Sequence, residues 1–200
     1  MKLKIFFFRY GKGPWILEDY DLELKSGEVV GLSGPSGIGK STLARILAGY
    51  VLPYKGSVRL QGKDLPRKGF NPVQLVFQHP EKAVNPRWQL EKTLNEGWTP
   101  DEELLESLGI EKAWLKRWPN ELSGGELQRF CVARALSPAT RFLIADEMTT
   151  MLDAITQAQL WHAVLERAEK NNMAVLVISH DGPLLERLCH RIIDFTRTNH

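Results

Sequence analysis

Residues 34–42 read GPSGIGKST, and this stretch decides the fold. It fits the pattern GxxxxGK[ST], with the apolar run Val29–Leu32 before it and a segment of helical spacing, residues 42–48, after it. The glycines let successive backbone N–H groups turn toward phosphate oxygens, and the helix presents its positive dipole end to the same anion. We predict that this loop binds nucleotide phosphates, with Lys40 on the outer phosphates and the Ser41 hydroxyl on Mg²⁺. A chance glycine turn is the alternative, and the flanking strand and helix disfavour it.

An acidic pair at the end of a second apolar run is the next predicted part of the site. Asp146 and Glu147 follow Phe142–Ala145, and ligands of open α/β sheets bind at the carboxyl ends of the strands. Asp146 is expected to hold Mg²⁺ through water, and Glu147 to polarise the attacking water. In isolation, a solvated turn would explain these two acids. His180 ends a similar run, residues 174–178, and is placed to contact the terminal phosphate, although a lone histidine is usually a packing or surface residue.

The segment Leu122–Glu126, LSGGE, precedes another predicted helix. Ser123 and Glu126 fit a capping box, which by itself explains a helix start. Gly124 and Gly125 are not needed for such a cap, and each costs about 1 kcal/mol of helix stability. Exposed N–H groups at a helix start bind anions, so the glycines indicate a second phosphate-binding helix end. If the two ends cannot meet at one ATP within a chain, a head-to-tail dimer with each ATP between two copies is the expected solution.

Taken together, these motifs resemble the ATP-binding cassette (ABC) family, and the similarity covers nearly the whole chain. Gln78 matches the glutamine of the family's Q-loop, Leu152-Asp153 its D-loop, and His180 its switch histidine. Tyr10 resembles the aromatic residue that stacks on adenine, although taken alone it equally suits a strand. The assigned residues are Tyr10, Gly34, Pro35, Ser36, Gly37, Ile38, Gly39, Lys40, Ser41, Thr42, Ser123, Gly124 and Gly125 for ATP; Ser41, Gln78 and Asp146 for Mg²⁺; and Glu147, His180, Gln78 and Asp153 for catalysis.

Within the family, two stretches are similar to the branch that imports peptides and nickel. These are VFQHP at 76–80 and WPNELSGGELQR at 118–129. Met148 departs from the proline usual in the family, Thr150-Met151 from the common Ser-Ala, and His79 from a frequent acid or amide. None of these departures removes a predicted catalytic group. The expected function is therefore ATP-driven import of a peptide, nickel or metal chelate, with other transport branches, exporters included, as the alternatives.

The order of patterns predicts an α/β fold: a P-loop NTPase core whose mostly parallel sheet is flanked by helices, with antiparallel strands at the N-terminus and a small helical insert. Leu3, Ile5 and Phe7 alternate, and Ile16–Leu24 does so more loosely, which suggests antiparallel strands near an edge of the sheet. Further strands are predicted at 57–60, 73–77, 142–145 and 174–179, and helices at 100–108, 123–136, 155–170 and 183–189. We expect one domain over residues 1–200, with a helical subdomain at about 78–136.

Four tryptophans distinguish the insert, residues 78–120: Trp88, Trp98, Trp114 and Trp118. Aromatic side chains are favoured at protein interfaces, so the insert is a candidate docking surface for a membrane-embedded permease. The alternative is that the tryptophans pack the insert itself.

Composition excludes several other classes. A net charge of +2 over 200 residues gives no bulk attraction to nucleic acid, and the two cysteines lack metal-binding spacing. No apolar run approaches the roughly 18 residues of a membrane span. We therefore expect a cytoplasmic protein, held at the cytoplasmic face of the membrane through a permease and paired with a second ABC subunit, identical or paralogous. A non-transport ABC protein and a P-loop kinase are disfavoured, since no coiled coil or zinc module is present and a kinase would leave 123–125 unexplained.

Overall fold

The computed structural model describes residues 1–195, apart from the side chains of residues 3–6. This range holds nine β-strands, six α-helices and three short 3₁₀ helices. The strands and α-helices are β1 (Lys2–Phe8), β2 (Leu17–Glu23), β3 (Val29–Ser33), α1 (Lys40–Leu47), β4 (Lys55–Leu60), β5 (Lys63–Asp64), β6 (Val73–Val76), α2 (Leu90–Leu94), α3 (Glu102–Ser107), α4 (Gly124–Ala135), β7 (Phe142–Asp146), α5 (Ala154–Lys170), β8 (Ala174–Ile178), α6 (Gly182–Leu188) and β9 (Arg191–Asp194). The 3₁₀ helices are Pro80–Lys82, Lys112–Lys116 and Pro119–Glu121.

A five-stranded parallel sheet in the order β6-β7-β8-β3-β9 forms the centre, as the fold class predicted. Every residue of β7 and β8 is buried, which explains why both sequences are continuous apolar runs instead of alternating ones. Because the strands run in one direction, their carboxyl ends share one edge of the sheet. Asp146 ends β7, and the P-loop, Gln78 and His180 follow strands at this edge.

Helices cover both faces of this sheet, and the two predicted phosphate-binding helices lie on opposite faces. Phe142 and Ile144 of β7 belong to the apolar cluster that includes α1. Leu143 and Ala145, which alternate with them, belong to the cluster that includes α4 and α5. The sheet therefore separates the start of α1 from the start of α4 within one chain.

A second, antiparallel sheet has the order β2-β1-β4-β5. It confirms the predicted N-terminal antiparallel strands. Phe8, Leu17 and Tyr20 join the apolar cluster on the α1 face, so this sheet covers that side of the core. The alternation predicted for Leu3 and Ile5 concerns side chains outside the described ones.

The P-loop helix α1 ends at a glycine, as its sequence indicates. Gly49 has a φ of 77°. Its N–H donates to the Ile46 carbonyl at 3.0 Å, and the N–H of Tyr50 donates to the Arg45 carbonyl at 2.9 Å. These two bonds form a Schellman cap, in which a residue of positive φ ends the helix.

Three of the described strands and α-helices were absent from our sequence prediction, as were the three short 3₁₀ helices. Strand β9 is short and mostly exposed, so it lacks an apolar run. Strand β5 has two residues, and helix α2 has five, which is too short to show a helical period. Among the described residues, every helix is too short or too polar to cross a bilayer.

The insert tryptophans divide between packing and surface. Trp114 is 8% exposed, and Trp98 packs against the same core while its indole N–H donates to the Arg134 carbonyl at 2.9 Å. Trp88 is partly buried beneath Lys92, whose ammonium lies 4.3 Å from the ring centre. Trp118 is 41% exposed. Packing therefore accounts for Trp98 and Trp114, and Trp118 is the exposed member of the set.

A matched pair of substitutions tests this division. We expect Trp114→Ala to cost about 3–5 kcal/mol of unfolding free energy, because it leaves a cavity in the insert core. Trp118→Ala should change it by less than about 0.5 kcal/mol, as for most surface positions. Urea unfolding followed by circular dichroism measures both. Equal losses in the two variants would contradict the assignment of Trp114 to the core.

Candidate functional site

The P-loop between β3 and α1 has the backbone that its glycines predict. Gly34, Gly37 and Gly39 have φ angles of 151°, 77° and 124°, a region that side-chain-bearing residues rarely adopt. A Cβ on Gly39 would also lie 2.6 Å from the Ile16 side chain. Gly39 is thus required twice, for its conformation and for the close approach of the β1–β2 connection.

Lys40 begins α1 and points back into the loop. Its side-chain ammonium donates to the carbonyl oxygens of Gly34 and Pro35 at 2.6 and 3.0 Å, and the residue is only 6% exposed. Both of these hydrogen-bond partners are neutral carbonyls, so neither offsets the positive charge of the ammonium. Such a charge can bind phosphate oxygens strongly, since little water screens it.

Asp146 and Ser41 meet beside the P-loop. Asp146 is 7% exposed, and this burial raises the pKa of its carboxyl above the ordinary value. A hydrogen bond with the Ser41 side chain opposes the rise, Glu147 adds to it, and Arg45 and Lys40 oppose it.

The donor chemistry at this point fits Mg²⁺. A hydroxyl and a carboxylate are hard oxygen ligands, and Mg²⁺ usually binds one or two protein oxygens together with phosphate and water. Within residues 1–195, no group of three or more His, Cys, Asp or Glu residues gathers as a metal cage. Ser41 and Asp146 would therefore share the ion with the nucleotide.

The raised pKa of Asp146 leads to a stability prediction. The folded state binds the Asp146 proton more tightly than the unfolded chain does. The stability that this proton contributes to the fold is fully present below the pKa of Asp146 in the unfolded chain. It is lost as the pH rises through the higher pKa of Asp146 in the folded protein. At neutral pH, Asp146→Asn avoids the buried charge, so the melting temperature of the nucleotide-free protein should rise by roughly 2–4 °C, the equivalent of about 1 kcal/mol. Thermal unfolding measures this, with Asp194→Asn on exposed β9 as the control; an equal rise in both would contradict the burial argument.

Glu147 and His180 come together at the sheet edge. His180 Nδ1 lies 3.2 Å from Glu147 Oε2. Glu147 has a φ of 49°, a strained value for a residue with a side chain. This reversed turn directly after Asp146 sends the two acids in different directions, as expected from the sequence. The pair can orient a water molecule and accept its proton.

Helix α4 begins with the capping box that the sequence predicts. The Ser123 hydroxyl accepts from the Glu126 N–H at 3.3 Å, and the Glu126 carboxylate accepts from the Ser123 N–H at 2.7 Å. The two glycines differ. A Cβ on Gly125 would lie 2.9 Å from Leu152, so packing within the chain explains this glycine, whereas a Cβ on Gly124 would meet nothing within 4 Å. The space over Gly124 is open to an incoming group.

Asp153 has a local role that sequence reasoning did not assign. It is the N-cap of α5, and its carboxylate accepts from the N–H groups of Ile155 and Thr156, each at 3.0 Å. These hydrogen bonds, led by those with Thr156, lower the pKa of Asp153. The catalytic assignment of Asp153, which rests on the resemblance to the D-loop, stays a prediction.

Two other predicted residues lie near the site without joining its contacts. Gln78 follows β6 at the shared sheet edge, but in the described part of the chain it makes no hydrogen bond to Ser41 or Asp146. Tyr10 is 47% exposed in a turn after β1, and its ring is nearly perpendicular to that of Phe8, with the ring centres 5.0 Å apart. Its assignment to adenine stays a prediction.

Sequence reasoning missed two further contacts. The Gln128 amide on α4 donates to the Phe77 carbonyl at 3.1 Å, which ties α4 to the residue preceding Gln78. The Thr150 hydroxyl lies 3.0 Å from the Glu147 carbonyl oxygen and 3.4 Å from its carboxylate. A hydroxyl residue three positions after an acid was the only trace of the second contact in the sequence.

A parallel sheet with a glycine-rich loop, a buried lysine and an acidic strand end defines a P-loop nucleotide-binding protein. Residues 17–150 match the family model described as ABC transporter. The chain is 37% identical over 206 residues to the nickel import system ATP-binding protein NikE of Staphylococcus aureus, strain N315, covering 96% of this chain and 85% of that protein. The USA300 strain protein gives the same figures.

Solved structures agree on the fold. The dimeric post-hydrolysis structure of the ATP-binding cassette MJ0796, bound to ADP and Pi, has a TM-score of 0.81 at 24% identity and covers 98% of this chain and 95% of that one. The cbiO1 structure from Clostridium perfringens has a TM-score of 0.78 at 21% identity, covering 98% and 84%. The chain belongs to the ABC transporter family, as an ATP-binding and ATP-hydrolysing subunit.

Proposed function

We propose that this subunit powers the import of nickel, a metal chelate or a peptide through a membrane permease. The observation that carries the proposal is the 37% identity to nickel import ATP-binding proteins over nearly the whole chain. The match to the importer branch at residues 76–80 and 118–129 supports the same assignment. The transported substrate would be selected by the permease and any binding protein.

In the proposed cycle, ATP lies with its adenine near Tyr10 and its phosphates on residues 34–42. Ser41 and Asp146 would hold Mg²⁺ together with the phosphates, and Gln78 would be a further ligand; the ion would supply positive charge beside the phosphates. Ser123, Gly124 and Gly125 of a second ABC subunit, identical or paralogous, contact the γ-phosphate from the other side. The separation of α1 and α4 by the sheet supports this arrangement, because one chain cannot bring both helix starts to one phosphate.

In this scheme, hydrolysis depends on Glu147 and His180 at the carboxyl edge of the parallel sheet. Glu147 accepts the proton of the attacking water, and His180 fixes the carboxylate and the terminal phosphate relative to one another. Asp153 couples the two sites across the dimer. Since ATP binds the closed pair better than the open one, its hydrolysis reopens the pair and drives the permease.

The permease contact is proposed at a cavity between the sheet edge and the insert. This cavity of about 290 Å³ is lined by residues that include Tyr50, Phe77, Lys82 and Arg134. Tyr50 is 65% exposed, and its ring packs against Phe77 at 5.7 Å. Lys82 is exposed beside this aromatic pair, whereas Arg134 is already paired with Glu96 at 2.8 Å. An exposed cation next to two aromatic rings suits a helix of the permease that ends in carbonyl or acidic groups. Membrane association at the cytoplasmic face would then occur through this contact.

Purification from membranes tests the proposal. A tagged chain expressed in its own cell should co-purify with a permease and a second ABC subunit, identified by mass spectrometry. Deleting the gene should abolish uptake of radiolabelled nickel or of a labelled peptide. Intact uptake of every such substrate after deletion, or recovery of an exporter as the only membrane partner, would contradict an import function.

A further inference from the structure

Thr150 contacts both the backbone and the side chain of Glu147. Its hydroxyl is 3.0 Å from the Glu147 carbonyl oxygen and 3.4 Å from Oε2, and its own backbone N–H donates to the same carbonyl at 3.3 Å. The single hydroxyl proton of Thr150 lies between the carbonyl oxygen and the carboxylate of Glu147, with the shorter contact to the carbonyl, and it can be shared with or turned toward Oε2. The hydroxyl therefore restricts both the turn and the carboxylate rotamer.

Glu147 needs such support for two reasons. Its φ of 49° is strained, and strained residues persist only where their surroundings hold them. In addition, a cavity of about 300 Å³ borders the side chain, between the turn 147–154 and residues 177–184. Packing therefore leaves room for the carboxylate to move, and hydrogen bonds must fix it.

The turn that carries Thr150 is itself anchored on α5. The neighbouring Thr149 is 3% exposed, and its hydroxyl accepts from Gln157 at 2.9 Å and from the Trp161 indole at 3.2 Å. Thr150, in contrast, is exposed, so its hydroxyl is not required to satisfy a buried group. The contact of its hydroxyl with Glu147 therefore explains why a hydroxyl residue suits position 150.

We infer that Thr150 is a positioning residue for ATP hydrolysis, which holds Glu147 so that the carboxylate faces the attacking water. The Thr150 hydroxyl and His180 Nδ1 both contact Oε2. Oε1 is then the oxygen that accepts the water proton. The inference depends on the proposed role of Glu147 as the base.

Thr150→Val tests the inference, because valine keeps the shape of threonine and removes the hydroxyl. We expect kcat for ATP hydrolysis to fall about 10-fold, in line with one lost hydrogen bond, with KM changed less than about two-fold. Thr150→Ser retains the hydroxyl and should keep kcat within about two-fold of the original protein. The melting temperatures of the three proteins should agree within about 4 °C, because one exposed hydrogen bond contributes only about 1 kcal/mol.

Combining Thr150→Val with Glu147→Gln shows whether the effect of Thr150 on ATP hydrolysis depends on the Glu147 carboxylate or reflects a general loss of structure. There Thr150→Val should lower the residual rate by less than about two-fold, since the group that it positions is already inactive. An unchanged kcat in Thr150→Val, an equal loss in Thr150→Ser, or a lowered melting temperature with a raised KM would each overturn the inference. If Glu147→Gln itself retained full turnover, the assignment of the base would fail instead.

Discussion

Glu147→Gln should lower ATP turnover about 10²–10⁴-fold, the usual contribution of a general base. Glutamine has nearly the shape of glutamate, but its amide cannot take the proton of the attacking water. Glu147 lies within reach of His180 and directly after Asp146, so its loss affects the chemical step more than nucleotide binding. Phosphate release under saturating ATP measures the effect.

The same substitution should trap a dimer. In our account ATP joins two subunits and hydrolysis separates them, so a variant that binds ATP without cleaving it remains paired. Size-exclusion chromatography with ATP and with ADP shows whether the variant changes size. Glu169→Gln, on the exposed side of α5, is the charge-matched control and should behave as the original protein does. Normal turnover in Glu147→Gln would refute the assigned base.

Mixing two inactive variants should restore activity. Lys40→Ala removes the buried ammonium of the P-loop, and Gly124→Asp places a negative charge where the γ-phosphate of the other copy is expected. Aspartate suits the first turn of a helix, and a side chain at Gly124 meets nothing within 4 Å, so the fold should tolerate it. Each variant alone should lose at least about 100-fold in turnover, the order of effect of one transition-state contact.

In a mixed dimer the two defects fall on the same ATP site and leave the other site intact. If two copies of this chain pair and the sites act independently, an equimolar mixture should recover about one quarter of full activity, because half of the dimers are mixed. The control mixes Lys40→Ala with the double variant, which leaves no intact site. Recovery in the control, or full activity in Gly124→Asp alone, would contradict a site shared between copies.

The sequence predicted the fold best where burial on both faces of a strand requires an uninterrupted run of apolar residues. Strands β3, β7 and β8 are apolar at nearly every position because both of their faces are covered. The P-loop was readable because Gly34, Gly37 and Gly39 adopt a backbone that other residues resist. By comparison, β9 and α2 depend on tertiary contacts, and their short sequences carry no period.

The candidate site was predicted by residue type and position, but its contacts were not. The sequence placed Glu147 and His180 at one sheet edge, yet only the folded chain shows their 3.2 Å contact. The structure was also needed to show that Gly124 and Gly125 have different roles. Gly125 makes room for Leu152, whereas Gly124 leaves open space. Contacts between segments distant in sequence leave no local pattern, which is why they were missed.

A structure of the Glu147→Gln protein with ATP and Mg²⁺, in its dimeric form, tests the central claim most directly. The account predicts one γ-phosphate within hydrogen-bond distance of Lys40 from one subunit and of the Ser123–Gly125 helix start from the other, about 3 Å in each case. If instead Lys40 and Gly124 of the paired subunits faced away from each other around the bound nucleotide, while the unmodified protein hydrolysed ATP at its full rate, the shared site would be wrong.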